Sequence, residues 1–324
     1  MTDLSTEYMG IILRNPLVAA SSPLTATADS IERLADNGIG AVVLKSIFEE
    51  QIIDESIMLE RYNDYPEAFS YMSAYIGAEY LRSYTTLVSE ARRRTDIPVI
   101  ASINCFRNGS WVEYAREIEN AGANALELNI FFLPHNDGQT SADLENTYLD
   151  IIEAVTNSVC IPVAVKFGMR FTNIFKMMQD SYNRGAKGVV LFNRFFEPDI
   201  DIENMEYVAS AEPSTSSELH KSLRYVAIAS SEVTGIDISV SSGVHTGADA
   251  VKSLLAGANN VQLCSTLMVN GPERIGEIST FITAWMKRHN YVSVGQFRGA
   301  MHKKHRLFGD PILERFQYIK TFGM

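Results

Sequence analysis

DISVSSGVHTGADAVKSLLAGANNVQLCS, residues 237–265, places two short apolar runs on either side of one helical pattern. The runs DISVSS (237–242) and NVQLCS (260–265) are nearly continuous rather than alternating, as in strands buried on both faces of a parallel sheet. Between them, TGADAVKSLLAGA (246–258) opens with a threonine suited to an N-cap and carries a glycine suited to ending the helix. Strand, helix and strand in this order form a parallel βαβ crossover.

The same unit recurs along the chain. Apolar runs ending in polar residues occur at LVAASS (17–22), AVVLKS (41–46), PVIASIN (98–104), ALELNI (125–130), PVAVKF (162–167) and GVVLFN (188–193), which makes eight in all. Helical patterns intervene at 27–38, 110–122 and 172–185, and the turns NGIGA, AGANA, RGAKG and AGANN lead from helix to strand. Eight alternating units predict an α/β chain folded as a (β/α)8 TIM barrel, one domain over 1–324. A doubly wound open sheet is the alternative, but no GxGxxG follows the first run. Long loops are expected after strand 2 (47–76) and strand 6 (194–217), on the C-terminal face where such loops wall a substrate site. Tyr62, Tyr65, Phe69, Tyr71, Met72 and Tyr75 make the first of these rich in aromatics, either packed on the barrel or serving as a lid or dimer contact.

Composition narrows the function. With 28 basic and 39 acidic residues the net charge is −11, which argues against a nucleic-acid partner. Three cysteines without metal-like spacing fit a reducing compartment and no metal site. No apolar stretch approaches the length of a membrane span, and the acidic start MTDLSTEYMG lacks the features of a signal peptide. A cytoplasmic protein is expected.

In a barrel the C-terminal ends of the strands point at the active site. Those ends read Ser21, Lys45, Ser46, Asn104, Asn129, Lys166, Asn193, Ser242 and Ser265, with no carboxylate among them. The set describes an electropositive site for an anion or a polar heterocycle. Serine or asparagine at such a place is often only a helix cap. A lysine ending an apolar strand weighs more, because its burial is costly without a partner. The turn SSGVHTG and the stretch LCST before GPERIGEI sit where barrels of this kind bind phosphate on backbone N–H groups.

Taken in order, NPLVAASSPLT, AVVLKS, ALELNI, PVAVKF, VLFN, SVSSGVHTGADAVKSLLAGANNVQLCSTLM and VGQFRGAMHK resemble the dihydroorotate dehydrogenases, FMN-dependent barrels. The resemblance implies FMN as cofactor, with Ala20, Ser21, Lys45, Ser46, Asn104 and Asn129 around the flavin and Lys166 near its N1/O2 edge. Ser242, Gly243, Val244, Cys264 and Ser265 would surround its phosphate, and Asn129, Asn136 and Asn193 would hold a planar pyrimidine acid. It further implies hydride transfer between flavin N5 and a dihydropyrimidine-like acid, dihydroorotate to orotate, in pyrimidine biosynthesis. A homodimer is the expected assembly, without a membrane or nucleic-acid partner.

One stretch departs from the family. Its strand-4 loop carries a cysteine or serine base, whereas this chain reads N-I-F-F-L-P-H-N, one residue longer, with Phe131 and Phe132 at the base position. Neither can take a proton. His135 is the first candidate replacement, Asp137 a weaker one, and Cys105 is expected to point away from the site. The phenylalanines would stack on a flat substrate, seal the site or form loop core. Arg194 follows Asn193 in place of a small hydroxyl residue and would either bind a carboxylate or cap its loop. PSTSSE (213–218) replaces a glycine-rich stretch. These departures keep three alternatives open: an FMN-dependent ene-reductase or other oxidoreductase on another substrate, a catalytically silent flavoprotein, and a flavin-free lyase or aldolase with Lys166 as Schiff-base amine.

Overall fold

The computed structural model describes residues 2–49, 66–105, 108–132, 138–195, 197–210 and 212–302. An antiparallel hairpin, β1 (Thr6–Tyr8) and β2 (Ile11–Leu13), comes first. Then follow β3 (Leu17–Ala19), α1 (Ala28–Asp36), β4 (Ala41–Val43), β5 (Ile47–Phe48), α2 (Pro66–Arg94), β6 (Val99–Asn104), α3 (Asn108–Asn120), β7 (Ala125–Asn129) and α4 (Ser141–Thr156). The chain continues through β8 (Val163–Phe167), α5 (Ile174–Asn183), β9 (Gly188–Leu191), a second hairpin β10 (Glu197–Asp201) and β11 (Glu206–Ser210), and α6 (Leu219–Glu232). It closes with β12 (Asp237–Ser241), α7 (Gly247–Ala256), β13 (Asn260–Leu263), α8 (Ser265–Asn270) and α9 (Arg274–Arg288).

Each of the eight expected strands forms. β3, β4, β6, β7, β8, β9, β12 and β13 pair in parallel, and the β4–β6 and β13–β3 pairings close the ring into a (β/α)8 barrel. The open-sheet alternative is thereby excluded. Local chemistry supports the helices between them. Thr27 caps α1 by accepting from the Ser30 amide, and Thr140–Asp143 and Thr246–Asp249 form reciprocal capping boxes on α4 and α7.

Closure splits the core in two. Outward-facing side chains such as Leu17, Val42, Ile103, Leu128, Val165 and Leu263 pack under the helices. The inward-facing set Val18, Ala41, Val43, Ile100, Ala125 and Ala164 fills the lower barrel together with Tyr8, Met9 and Leu13. The first hairpin is therefore a plug, and the apolar-run reading missed it because its strands are three residues each. Its signal is the turn: Met9 (φ 55) and Gly10 (φ 79) are both left-handed, as a tight two-residue hairpin requires.

The expected loop 194–217 also contains more structure than predicted. It carries the hairpin β10–β11, whose tip is held by Asp201 accepting from the Glu203 and Asn204 amides. Ile202, Met205 and Tyr207 there are 79%, 86% and 81% exposed. In the stretch 47–76, β5 adds to β6 and α2 begins at Pro66. Tyr62 and Tyr65 lie outside the described residues, and Phe69, Tyr71, Met72 and Tyr75 belong to the start of α2. Among the described residues no helix is long and apolar enough to cross a membrane.

The Tyr8 hydroxyl is buried without a hydrogen-bond partner. Replacing it by apolar surface removes a desolvation penalty, so Tyr8→Phe is expected to leave stability unchanged or raise it by about 1 kcal/mol. The midpoint and slope of a urea titration of wild type and variant check this.

Candidate active site

The C-terminal mouth of the barrel opens into two adjoining cavities. One, of about 320 Å³, is lined by Ala20, Ser21, Lys166, Asn193, Gly243 and Cys264 among others. Its neighbour, of about 350 Å³, lies between the β8 and β9 loops and α6, with Arg170, Phe195 and Lys221 in its wall. Asn193, Arg194 and Ser242 border both. Cavities of this size fall in the range of small-molecule and cofactor sites.

The structure gathers Ala20, Ser21, Lys166, Asn193, Arg194, Ser242, Gly243, Val244, Cys264 and Ser265 around the first cavity. Asn129 joins them through Asn193, whose Nδ2 donates to Asn129 Oδ1 at 2.7 Å. Ser46 stands behind the wall. Its amide donates to Ser21 Oγ at 2.9 Å and its hydroxyl bonds Ser102 Oγ at 2.7 Å. Asn104 is buried at the end of β6, in register with Phe48 of β5. His135, Asn136 and Asp137 lie outside the described residues.

Two expectations change. Lys45 is exposed, so the argument from the cost of burying a lysine applies to Lys166 alone. The site is also less electropositive than the strand ends imply, because Lys166 Nζ lies 3.4 Å from Glu127 Oε1. Glu127 sits two residues before the end of β7, and strand alternation turns both Glu127 and Asn129 inward. Gln262, also inward, donates from Nε2 to Glu127 Oε2 at 2.7 Å. Reading only the last residue of each strand missed both; Glu127 lies two residues before Asn129 and Gln262 two before Cys264. Cys105, expected to turn away from the site, is buried in the outer core as that reading requires.

The two phenylalanines part ways. Phe132 goes into loop core, edge-on to Tyr148 at 5.5 Å, with Phe171 and Phe167 continuing the packing. Phe131 is half-exposed and meets Phe195 of the β9 loop, ring centroids 4.2 Å apart. Phe195 lies against Gly168, where any Cβ would strike its ring. The β7 and β9 loops thus meet through an aromatic contact, whose Phe195 lines the second cavity.

Arg194 is committed to its own loop. Its Nε donates to Glu218 Oε2 at 3.1 Å and its Nη1 to the Glu212 carbonyl at 2.6 Å. Cys264 is unsuited to act as a base, since burial pushes its thiol up although Lys166 and Arg194 pull it down. One histidine the motif reading passed over, His245, bonds Ser214 Oγ through Nε2 at 3.0 Å beside the cavity.

The turn after β12 is built for close approach. Ser242 (φ 73) and Gly243 (φ 77) are left-handed, and a Cβ on Gly243 would land on the Leu219 amide. Asp249 holds the turn in place. Its Oδ2 accepts from the His245 and Thr246 amides and from the Ser216 and Thr246 hydroxyls. Burial raises this carboxyl, but those hydrogen bonds outweigh it and leave it below the usual carboxylate value. A depressed carboxyl stabilises the fold above its unfolded value and loses that contribution as pH falls through its folded value. Asp249→Asn is therefore expected to cost about 1–3 kcal/mol at neutral pH. The difference from wild type should shrink below about pH 4, in denaturation curves measured across pH.

With this geometry in view, comparison with known proteins is informative. The family model described as dihydroorotate dehydrogenase matches residues 3–286. The catalytic subunit of dihydroorotate dehydrogenase B (NAD(+)) from Methanosarcina mazei is 30% identical, over 91% of this chain and 94% of that protein. Its counterpart from Thermoplasma acidophilum is 29% identical, over 92% of this chain and 99% of that protein. Chloroplastic dihydropyrimidine dehydrogenase (NADP(+)) from Arabidopsis thaliana is 26% identical, over 92% of this chain and 76% of that protein. A closed parallel barrel with its polar strand ends and its β12 turn, matched over nearly its whole length, makes this chain a member of the dihydroorotate dehydrogenase family, oxidoreductases acting on CH–CH bonds.

Proposed function

We propose that the chain, as a single domain over residues 1–324, is an FMN-dependent oxidoreductase that interconverts a dihydropyrimidine and its unsaturated form. The observation that carries this reading is the shared wall of the first cavity, where Lys166 faces the Gly243 turn and the Asn129–Asn193 pair. The residues fit the cofactor. A phosphate needs backbone to approach closely, and Gly243 has no Cβ to obstruct it. A flavin edge needs a fixed positive group, and Lys166 is 7% exposed and held in place. When bound, FMN supplies the hydride acceptor or donor at its N5.

This chain's own residues then bind, orient and exclude water. The Asn129–Asn193 pair offers amide donors and acceptors side by side, suited to the edge of a pyrimidine ring. The Phe131–Phe195 pair shields the mouth. Proton transfer at the adjacent carbon is assigned to His135 on loop position alone. If His135→Gln reduces bound FMN with substrate as fast as wild type, that assignment falls. Ser21, Ser46 and Asn104 support the flavin side, and the exposed Lys45 attracts anions.

A second reading concerns the substrate. Dihydroorotate, in pyrimidine biosynthesis, is the family's acid substrate. Arg194, the guanidinium that borders both cavities, has Nε and Nη1 engaged by its own loop. That favours a neutral dihydropyrimidine, consistent with the similarity to the plant dihydropyrimidine dehydrogenase. A homodimer, with the exposed β10–β11 hairpin as apolar surface, is the proposed assembly, and sedimentation velocity tests it.

The deciding experiment is an anaerobic absorbance titration of the FMN-loaded protein with dihydroorotate and with dihydrouracil. Bleaching by either supports the reaction and names the substrate. Persistence of the flavin band with both overturns it. Asn193→Ala is expected to raise KM about tenfold, the loss of one substrate hydrogen bond. A KM within twofold of wild type would remove Asn193 from the substrate site.

A further inference from the structure

Glu127 is a carboxylate in a place that needs explaining. It is 1% exposed, faces the inside of the barrel and sits below the cavity wall rather than in it. Oε2 accepts from Gln262 Nε2 at 2.7 Å, while Oε1 receives no hydrogen bond and meets only the Lys166 ammonium, at 3.4 Å. Lys166 Nζ also points at Gln262 Oε1, at 3.5 Å. Three strands, β7, β8 and β13, thus contribute one side chain each to a closed triangle of carboxylate, ammonium and amide.

Stability is a poor account of this triangle. A buried ion pair gives little net stabilisation over well-packed apolar side chains of equal volume, because both charges lose their hydration. Elsewhere the barrel interior is apolar, at Val18, Val43 and Ile100, so this fold is able to fill inward positions with hydrocarbon. What distinguishes the triangle is its upper corner, since Lys166 and Gln262 both line the first cavity. The carboxylate acts on the cavity through the lysine.

We infer that Glu127 is a positioning residue that pins the Lys166 ammonium at the cavity floor and offsets its charge, so that a bound flavin meets an ion pair rather than a free cation. The inference rests on the FMN reading above. Gln262 is the clamp that keeps the pair from rotating apart, bonding the carboxylate with one end of its amide and facing the ammonium with the other. The consequence is a cofactor less readily reduced than Lys166 alone would make it.

The test is the midpoint potential of the FMN-loaded protein at neutral pH, with the dissociation constant of the sulfite adduct as a second optical readout. Glu127→Gln keeps shape and removes the negative charge. It is expected to tighten sulfite binding about tenfold and to raise the two-electron potential by about 30 mV, the value of one decade in equilibrium constant. Lys166→Met is expected to shift both the other way, and Glu127→Gln in that background to add nothing, because the carboxylate acts through the lysine. A potential and sulfite affinity within twofold of wild type, a shift downward, or an equal shift with Lys166 absent would each overturn the inference. Should Glu127→Gln fail to fold, Glu127→Asp retains the charge but withdraws it, and an upward shift of lesser size is the supporting result; no shift overturns it. A colourless protein that takes up no FMN removes the cofactor reading and this inference together. It is told apart from the other failures by eye.

Discussion

Closing eight parallel strands on themselves turns every second residue of each strand toward one confined axis, and that constraint organises the rest of the molecule. Below, the axis is filled by Val18, Ala41, Val43, Ile100, Ala125 and Ala164, with the β1–β2 hairpin driving Tyr8 and Met9 in from the end. Above, the same alternation brings Lys166, Glu127 and Gln262 together from three strands far apart in sequence. The change from hydrocarbon to ions along one axis marks where packing gives way to chemistry. Lys166 and Glu127 are both buried, so each charge needs a partner from the protein.

Electrostatics at the mouth follows from this geometry. Lys166 presents its charge to the cavity with a carboxylate behind it, and Arg194 presents its own with Glu218 beside it. Neither is a free cation. Asp249 plays the converse role on the β12 side, where one carboxylate gathers four donors and fixes the backbone of a left-handed turn. These three charges hold other groups still, and the first cavity offers a ligand mainly amide and hydroxyl groups beside Lys166.

The loops tell a different story from the barrel. Parts that suit a flavin and its phosphate stand on strand ends and on the β12 turn, where backbone hydrogen bonding leaves little freedom. Much of the mouth beyond the strand ends is built from the β7 and β9 loops. Phe132 has become core for the β7 loop, and Phe131 reaches across to Phe195. A scaffold of this kind lets the cofactor half and the substrate half change independently, since they are attached to different elements.

How much of this was legible beforehand depends on the range of the interaction. The eight strands, the capped helices between them and the order of the βα units were readable because apolar runs and cap residues report on their immediate neighbours. Ser21, Asn193, Ser242 and Ser265, read by the same local logic from their positions at strand ends, line the first cavity. The hairpin β10–β11 was missed because its residues, exposed on both faces, show no buried period. The exposure of Lys45, the capture of Arg194 by Glu218 and the pairing of Lys166 with Glu127 were decided only in three dimensions. By itself the sequence determined that there would be a barrel and which residues would stand at its mouth, since those follow from short-range periodicity. Tertiary structure alone decided which charges stand free and which are neutralised, because barrel closure sets the distance between side chains on different strands.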